Sequence, residues 1–141
     1  MENQQTDPHK NKLEFSIPNN PISVNNYLKN TQYGRRFMPP KTKEYVEIVQ
    51  TTSKKYLLMN FSSLEQAQLP TTKPLSMTLT YYFKDKRRRD VDNYSKCILD
   101  ALQTIIYNDD NQIQHLTLSK YIDKENPRTE VTITIKEDNS E

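Results

Sequence analysis

Hydrophobic and polar residues alternate most cleanly over residues 75–83, where Leu75, Met77, Leu79, Tyr81 and Phe83 are separated by Ser76, Thr78, Thr80 and Tyr82. A period of two sends successive side chains to opposite faces, so this stretch predicts a strand with one buried face. Shorter alternations occur at 13–17 (Leu13, Phe15, Ile17) and at 130–136 (Val131, Ile133, Ile135). Residues 112–122 predict a further strand, with Pro127 marking its connection to the last one. Gly34 predicts a turn, with a short strand at 35–38 after it.

Two stretches repeat at helical spacing instead. Pro39-Pro40 opens a helix expected over 41–60, with Tyr45, Val46, Val49, Tyr56 and Leu57 on its apolar side and Lys41, Lys43, Lys54 and Lys55 near its polar side. A second helix is expected over 91–107, where Val91, Tyr94, Ile98, Leu99, Leu102, Ile105 and Ile106 form a stripe. The polar segment 62–73, containing Pro70, reads as a loop, 108–111 as a turn, and 23–27 as a loop or short helix. These elements predict one α/β domain of the α+β type over 12–136, with a mixed or mostly antiparallel sheet and two main helices. Residues 1–11 and the acidic segment 137–141 are nearly devoid of apolar side chains and are expected to be disordered tails.

Composition narrows the chemistry. Hydrophobic residues make up 33% of the 141, little for a packed domain unless polar tails account for part of the deficit. Gly34 is the only glycine, which argues against a phosphate-cradling loop and hence against a nucleotide cofactor. Cys97 is the only cysteine, so an intrachain disulfide and a Cys-rich zinc site are excluded. No apolar run approaches the roughly 18 residues a membrane span needs, and the N-terminus has no apolar signal region, so no membrane partner and a cytoplasmic location are expected. The net charge of +2 is mild, and rises to +5 without Glu137, Asp138 and Glu141. Its distribution says more: Lys84, Lys86, Arg87, Arg88 and Arg89 fall directly before an acidic pair.

That pair is Asp90 and Asp92, where an alternating strand gives way to a helical pattern. Residues i and i+2 on an extended segment share a face. Two carboxylates about 4 Å apart at an effective dielectric near 20 repel by about 4 kcal/mol. A divalent cation offsets that repulsion, and Mg²⁺ prefers one or two carboxylates with waters and phosphate oxygens. Structural explanations are also available. Either aspartate can cap the helix, Lys96 can simply pair with Asp92 or Asp100, Asp109 and Asp110 sit where turns favour Asp, and the arginines can be solvated charge. The combination of acids beside Lys and Arg nevertheless suits phosphodiester chemistry, in which cations stabilise the charge that develops on phosphorus. His9 lies in the tail, and His115 reads as an ordinary strand residue.

The segments Arg89-Asp90-Val91-Asp92-Asn93-Tyr94-Ser95-Lys96, Leu99-Asp100-Ala101-Leu102 and Asn108-Asp109-Asp110-Asn111-Gln112-Ile113 resemble the RusA-type crossover-junction endodeoxyribonucleases of bacteria and their phages. Pro21-Ile22-Ser23-Val24-Asn25-Asn26-Tyr27 is similar to that family's early Pro-x-Ser-Val-Asn element. The resemblance covers about residues 13–136. It implies a Mg²⁺-dependent homodimer that binds four-way (Holliday) junctions and resolves them by paired nicks in recombination and repair. It also implies that Asp90, Asp92 and Asp110 are the catalytic, metal-holding acids, with Asp109 the alternative to Asp110, and that Lys96 is the essential lysine. Lys86, Arg87, Arg88, Arg89 and Lys120 are the expected DNA contacts.

One question of geometry stays open. An unbroken helix over 93–106 would separate its ends by roughly 20 Å at 1.5 Å per residue. Asp110 then meets Asp90 and Asp92 only if the turn folds back, the helix is shorter, or a partner subunit contributes. The alternative functions are a catalytically inactive branched-DNA-binding module, whose binding survives EDTA, and a structural protein with no salt-dependent DNA affinity.

Overall fold

The strand with the cleanest alternation lies inside the sheet. In the computed structural model, which describes residues 11–23, 29–30, 34 and 36–136, the strands are β1 (Lys12–Pro18), β2 (Lys29–Asn30), β3 (Arg36–Phe37), β4 (Leu75–Phe83), β5 (Ile113–Ile122) and β6 (Arg128–Ile135). The helices are α1 (Pro40–Asn60), α2 (Leu64–Ala67) and α3 (Lys96–Ala101). The main sheet runs β1-β6-β4-β5, and β2 and β3 form a small antiparallel pair. β6 is antiparallel to both β1 and β4, whereas β5 is parallel to β4, so the sheet is mixed. The expected tails lie outside the described residues apart from Asn11, as do Arg35 and the Val24-to-Tyr27 part of the early element.

Register gathers the apolar residues onto one face. Leu13 and Phe15 sit opposite Ile133 and Val131, which in turn face Met77 and Leu79. All six are buried. α1 lies against this face through Thr42, Tyr45, Val49, Ser53 and Leu57, spaced at helical intervals. Pro40 sits at its first turn, where a missing N–H costs nothing. Lys41, Lys43, Lys54 and Lys55 are exposed, as the polar side requires.

The second helix departs from expectation. Residues 91–93 make one 3₁₀ turn, α3 covers only six residues, and the chain then turns through Thr104, whose φ is 68°. The apolar stripe is real: Ile98, Leu102, Ile105, Ile106 and Tyr107 are all buried. Its last members, however, pack from a turn, held by the Ile105 amide on the Leu102 carbonyl and the Thr104 amide on the Tyr107 carbonyl. Tyr107 pins this turn by donating its hydroxyl to the Leu99 carbonyl at 2.6 Å. The loop expected over 62–73 contains the one-turn helix α2 and a cis peptide bond before Pro70. No helix among the described residues is long and apolar enough to cross a membrane.

Candidate active site

The connection from β4 to β5 carries every acidic residue singled out above. After Phe83 the chain leaves the sheet and folds back over its end. Tyr94 packs edge-on against Phe83, with ring centroids 4.9 Å apart, and lies 5.9 Å from Tyr81. Arg89 caps the same ring with its guanidinium 4.4 Å from the Phe83 centroid. Its Nη2 pairs with Asp85 Oδ1 at 2.7 Å, and Nη1 donates to the Asp85 and Arg87 carbonyls. The Asp85 carboxyl is accordingly held below the usual carboxylate range, chiefly by the Arg89 hydrogen bond and then by the Arg87 amide. Lys120 of β5 donates to the Arg89 carbonyl from the other side.

This changes the picture of the basic run. The Arg89 side chain is only 10% exposed and is committed to the loop that leads to Asp90. Lys120 buttresses the same loop. Arg87 lies in solvent and touches Asp85 at 3.6 Å. Lys86 and Arg88 are exposed, and no hydrogen bond or ion pair engages either among the described residues. Arg88 and Arg89 line a cleft of about 250 Å³ together with Ser23, Asp90, Asn93 and Tyr94.

The aspartates divide sharply. Seven lie among the described residues. Asp85 is paired with Arg89 and Arg87, Asp123 with Arg128 at 2.8 Å, and Asp100 with Lys96 at 3.3 Å. Asp109 caps the 3₁₀ turn 110–112: its carboxylate accepts from the Asn111 amide at 2.9 Å, and Gln112 Oε1 accepts from the Asp109 amide in return. Asp90, Asp92 and Asp110 are left with no hydrogen-bond or ion-pair partner on their carboxylates among the described residues. Asp90 stands at the N-cap position of the 91–93 turn but makes no side-chain cap. Asp90 and Asp92 are exposed and Asp110 is half-buried. Such bare oxygen donors fit a hard divalent cation.

One chain does not gather the three. Among the described residues no three His, Cys, Asp or Glu side chains come close enough to hold a metal ion. The parallel register explains why. Phe83 lies beside Ile122, so the Asp90 loop hangs at the C-terminal end of β5, touching it through Lys120. Asp110 precedes Ile113 at the other end, tied by its amide to Gln103 Oε1. From Ile113 to Lys120 the strand covers roughly 23 Å at about 3.3 Å per residue. The helix is shorter and the turn does fold back, yet the strand keeps the two acidic loci apart.

Two structural residues escaped the sequence reading. Asp85 looked like one more charge in a charged run. Gln112 is the hub of the acidic turn: Oε1 accepts from the Asn108 and Asp109 amides, and Nε2 donates to the Thr71 and Lys73 carbonyls. The spacing Asp109-x-x-Gln112 is a capping-box signal and was there to be read.

A small α+β domain here carries bare carboxylates beside exposed arginines, the kind of charge pattern that phosphodiester chemistry uses. The sequence profile of the family Endodeoxyribonuclease RusA matches residues 18–134, and the chain belongs to that family. Membership makes it a nuclease by family, one whose members generally depend on a divalent metal. It is also similar to the uncharacterized protein YqaN of Bacillus subtilis (strain 168), 27% identical over 135 residues, covering 86% of this chain and 94% of that protein.

Proposed function

We propose that this protein is a Mg²⁺-dependent, structure-specific endodeoxyribonuclease that resolves four-way DNA junctions as a homodimer. The observation that carries this reading is the division of the aspartates. The three that the motif resemblance implies to be catalytic are the three aspartates whose carboxylates no residue engages among the described residues.

Asp90, Asp92 and Asp110 would hold the cation, which when bound supplies charge neutralisation at the phosphate and Lewis-acid assistance to hydrolysis. Lys96 starts the helix that follows the D-x-D element, and its ammonium is exposed and flexible enough to exchange Asp100 for a phosphate oxygen. It stabilises the negative charge that grows on the non-bridging oxygens during attack. Arg88, Arg87 and Lys86 hold backbone phosphates and so set the register of the cut without reading bases. The roughly 23 Å strand between the two acidic loci supports a site shared by two chains, with Asp90 and Asp92 from one and Asp110 from the other. A two-fold dimer then presents two such sites to a substrate of two-fold symmetry.

The deciding experiment uses an end-labelled synthetic four-way junction, with and without Mg²⁺, and compares wild type with Asp92→Asn. Paired nicks that require the metal and vanish in the variant, with junction binding retained, are the expected result. Tight binding without any cleavage by wild type over several junction sequences and metals would overturn it.

A further inference from the structure

β4 turns Leu79, Tyr81 and Phe83 into the core and Thr78, Thr80 and Tyr82 toward the opposite face of the sheet. Hydroxyl-bearing side chains are ordinary on a face that meets water. The row at the C-terminal end of β4 is different. There the register sets Tyr82 between Tyr121 of β5 and Arg128 of β6. The Arg128 guanidinium lies 3.9 Å from the centroid of the Tyr82 ring. On the other flank the Tyr121 ring stacks on Tyr82, with centroids 5.5 Å apart and planes 25° from parallel. Three planar groups therefore stand in one file across three strands.

The file is braced at one end and open at the other. Arg128 Nη1 donates to Asp123 Oδ2 at 2.8 Å and to the Asn126 carbonyl at 2.9 Å, while Nε donates to Glu130 Oε2 at 2.6 Å. Two carboxylates meet its charge, so Arg128 holds the rings in place and is no phosphate anchor. Tyr121 ends the file on an edge strand. At 56% it is the most exposed aromatic side chain among the described residues. A ring held rigid by its neighbours loses little entropy when a ligand lies against it.

We infer that Tyr121 is a stacking platform for an unpaired DNA base, which joins the file as its fourth planar member. Every base has a π-face, so such a platform takes any of the four. Charge selects a nucleic acid over other flat ligands. Lys84, Lys86, Arg87 and Arg88 follow β4 directly and are all exposed, so they gather at the sheet end where Tyr82 and Tyr121 stack. Cations that track a backbone beside a ring that takes its bases are the recurring pattern of single-strand binding. A branch point supplies the base, because one that is already unpaired costs least to draw out of the helix. The neighbour of Tyr121 in sequence, Lys120, holds the loop that leads to Asp90. A strand whose base lies on Tyr121 is thus kept at the Asp90 end of β5. The DNA partner rests on the nuclease reading above; the exposed stack itself does not.

The test uses a short single-stranded oligonucleotide carrying one 2-aminopurine, whose fluorescence falls when it stacks, titrated with protein in EDTA so that nothing is cut. Wild type should quench the probe. Tyr121→Phe keeps the ring and should quench it equally, with an affinity within about two-fold of wild type. Tyr121→Ala should abolish the quenching and weaken binding by about 10-fold, the worth of one base on one ring. Its salt dependence should match that of wild type, whereas Lys86→Ala should flatten the slope. Far-ultraviolet dichroism checks that each variant is folded. Absence of quenching by wild type would overturn the platform. So would a folded Tyr121→Ala that still quenches, since the ring pair then serves only the sheet. A protein that cuts junctions without quenching the probe loses the platform and keeps the nuclease reading. One that quenches as stated but cuts no junction does the reverse.

Discussion

Lys120, on the edge strand, donates a hydrogen bond to the carbonyl oxygen of Arg89, the residue immediately before Asp90. With Arg89 held from below by Phe83 and from the side by Asp85, the loop bearing Asp90 is fixed at three points. Asp85→Asn should therefore impair cleavage through a residue that touches no substrate. The readout is kcat falling while junction affinity stays within a few-fold. A parallel loss of affinity would mean that Asp85 acts on the arginines that bind DNA.

Asp85 also gives a pH signature. Its carboxyl is held below the usual range, so its contribution to stability is complete above its unfolded value near 4. The contribution fades as pH falls through the lower folded value. Wild type should have a higher urea midpoint than Asp85→Asn at pH 7, and the two should converge near pH 2. A gap that persists in acid would show that the ion pair is not its source.

Asp109 and Asp110 should separate cleanly. Asp109→Ala loses a helix cap, worth about 1 kcal/mol, and should keep its cleavage activity. Asp110→Asn should unfold at the wild-type denaturant concentration and lose cleavage. The reverse pattern would move the third acid to Asp109.

Mixing two dead enzymes tests the shared site directly. If Asp90 and Asp92 act with Asp110 of the other chain, a heterodimer of Asp92→Asn and Asp110→Asn contains one intact site and one doubly damaged site. Co-refolding the two should restore metal-dependent nicking of single strands without paired cuts. A mixture as inactive as its components would place all three acids in one chain.

Lys96 should behave as a functional cation. Its pair with Asp100 is exposed and spaced i,i+4, so Lys96→Ala should cost no more than about 0.5 kcal/mol. The cleavage rate should nevertheless fall by about 10²–10³, the usual loss when a transition-state donor is removed. Single-turnover cleavage and urea unfolding on one preparation measure both.

Much of this architecture is legible in the sequence, and the exceptions have physical causes. Alternation located β4 and its buried side chains because a period of two has one structural meaning at that length. It was silent on direction: nothing in Leu116, Leu118 and Lys120 says that β5 runs parallel to β4, and that orientation is what separates the acids. The stripe from Val91 to Ile106 overstated the helix because periodicity records which side chains are buried, and a turn through Thr104 can bury Ile105 and Ile106 as well as a helix can. Motif spacing singled out Asp90, Asp92 and Asp110, and their carboxylates have no partner among the described residues. Of the cations expected on DNA, Lys86, Arg87 and Arg88 lie in solvent, while Arg89 and Lys120 are engaged in holding the loop. Sequence alone does not distinguish a solvated arginine from one lying on a phenylalanine.

The parallel pairing of β4 with β5 has one more implication. A ladder of backbone hydrogen bonds is a stiff ruler, and thermal motion of a lone chain does not fold it in half. If the acids act across two chains as proposed, a lone polypeptide carrying them at the two ends of that ruler cannot cut DNA, and at low abundance the rate of cutting should grow as the square of the number of molecules.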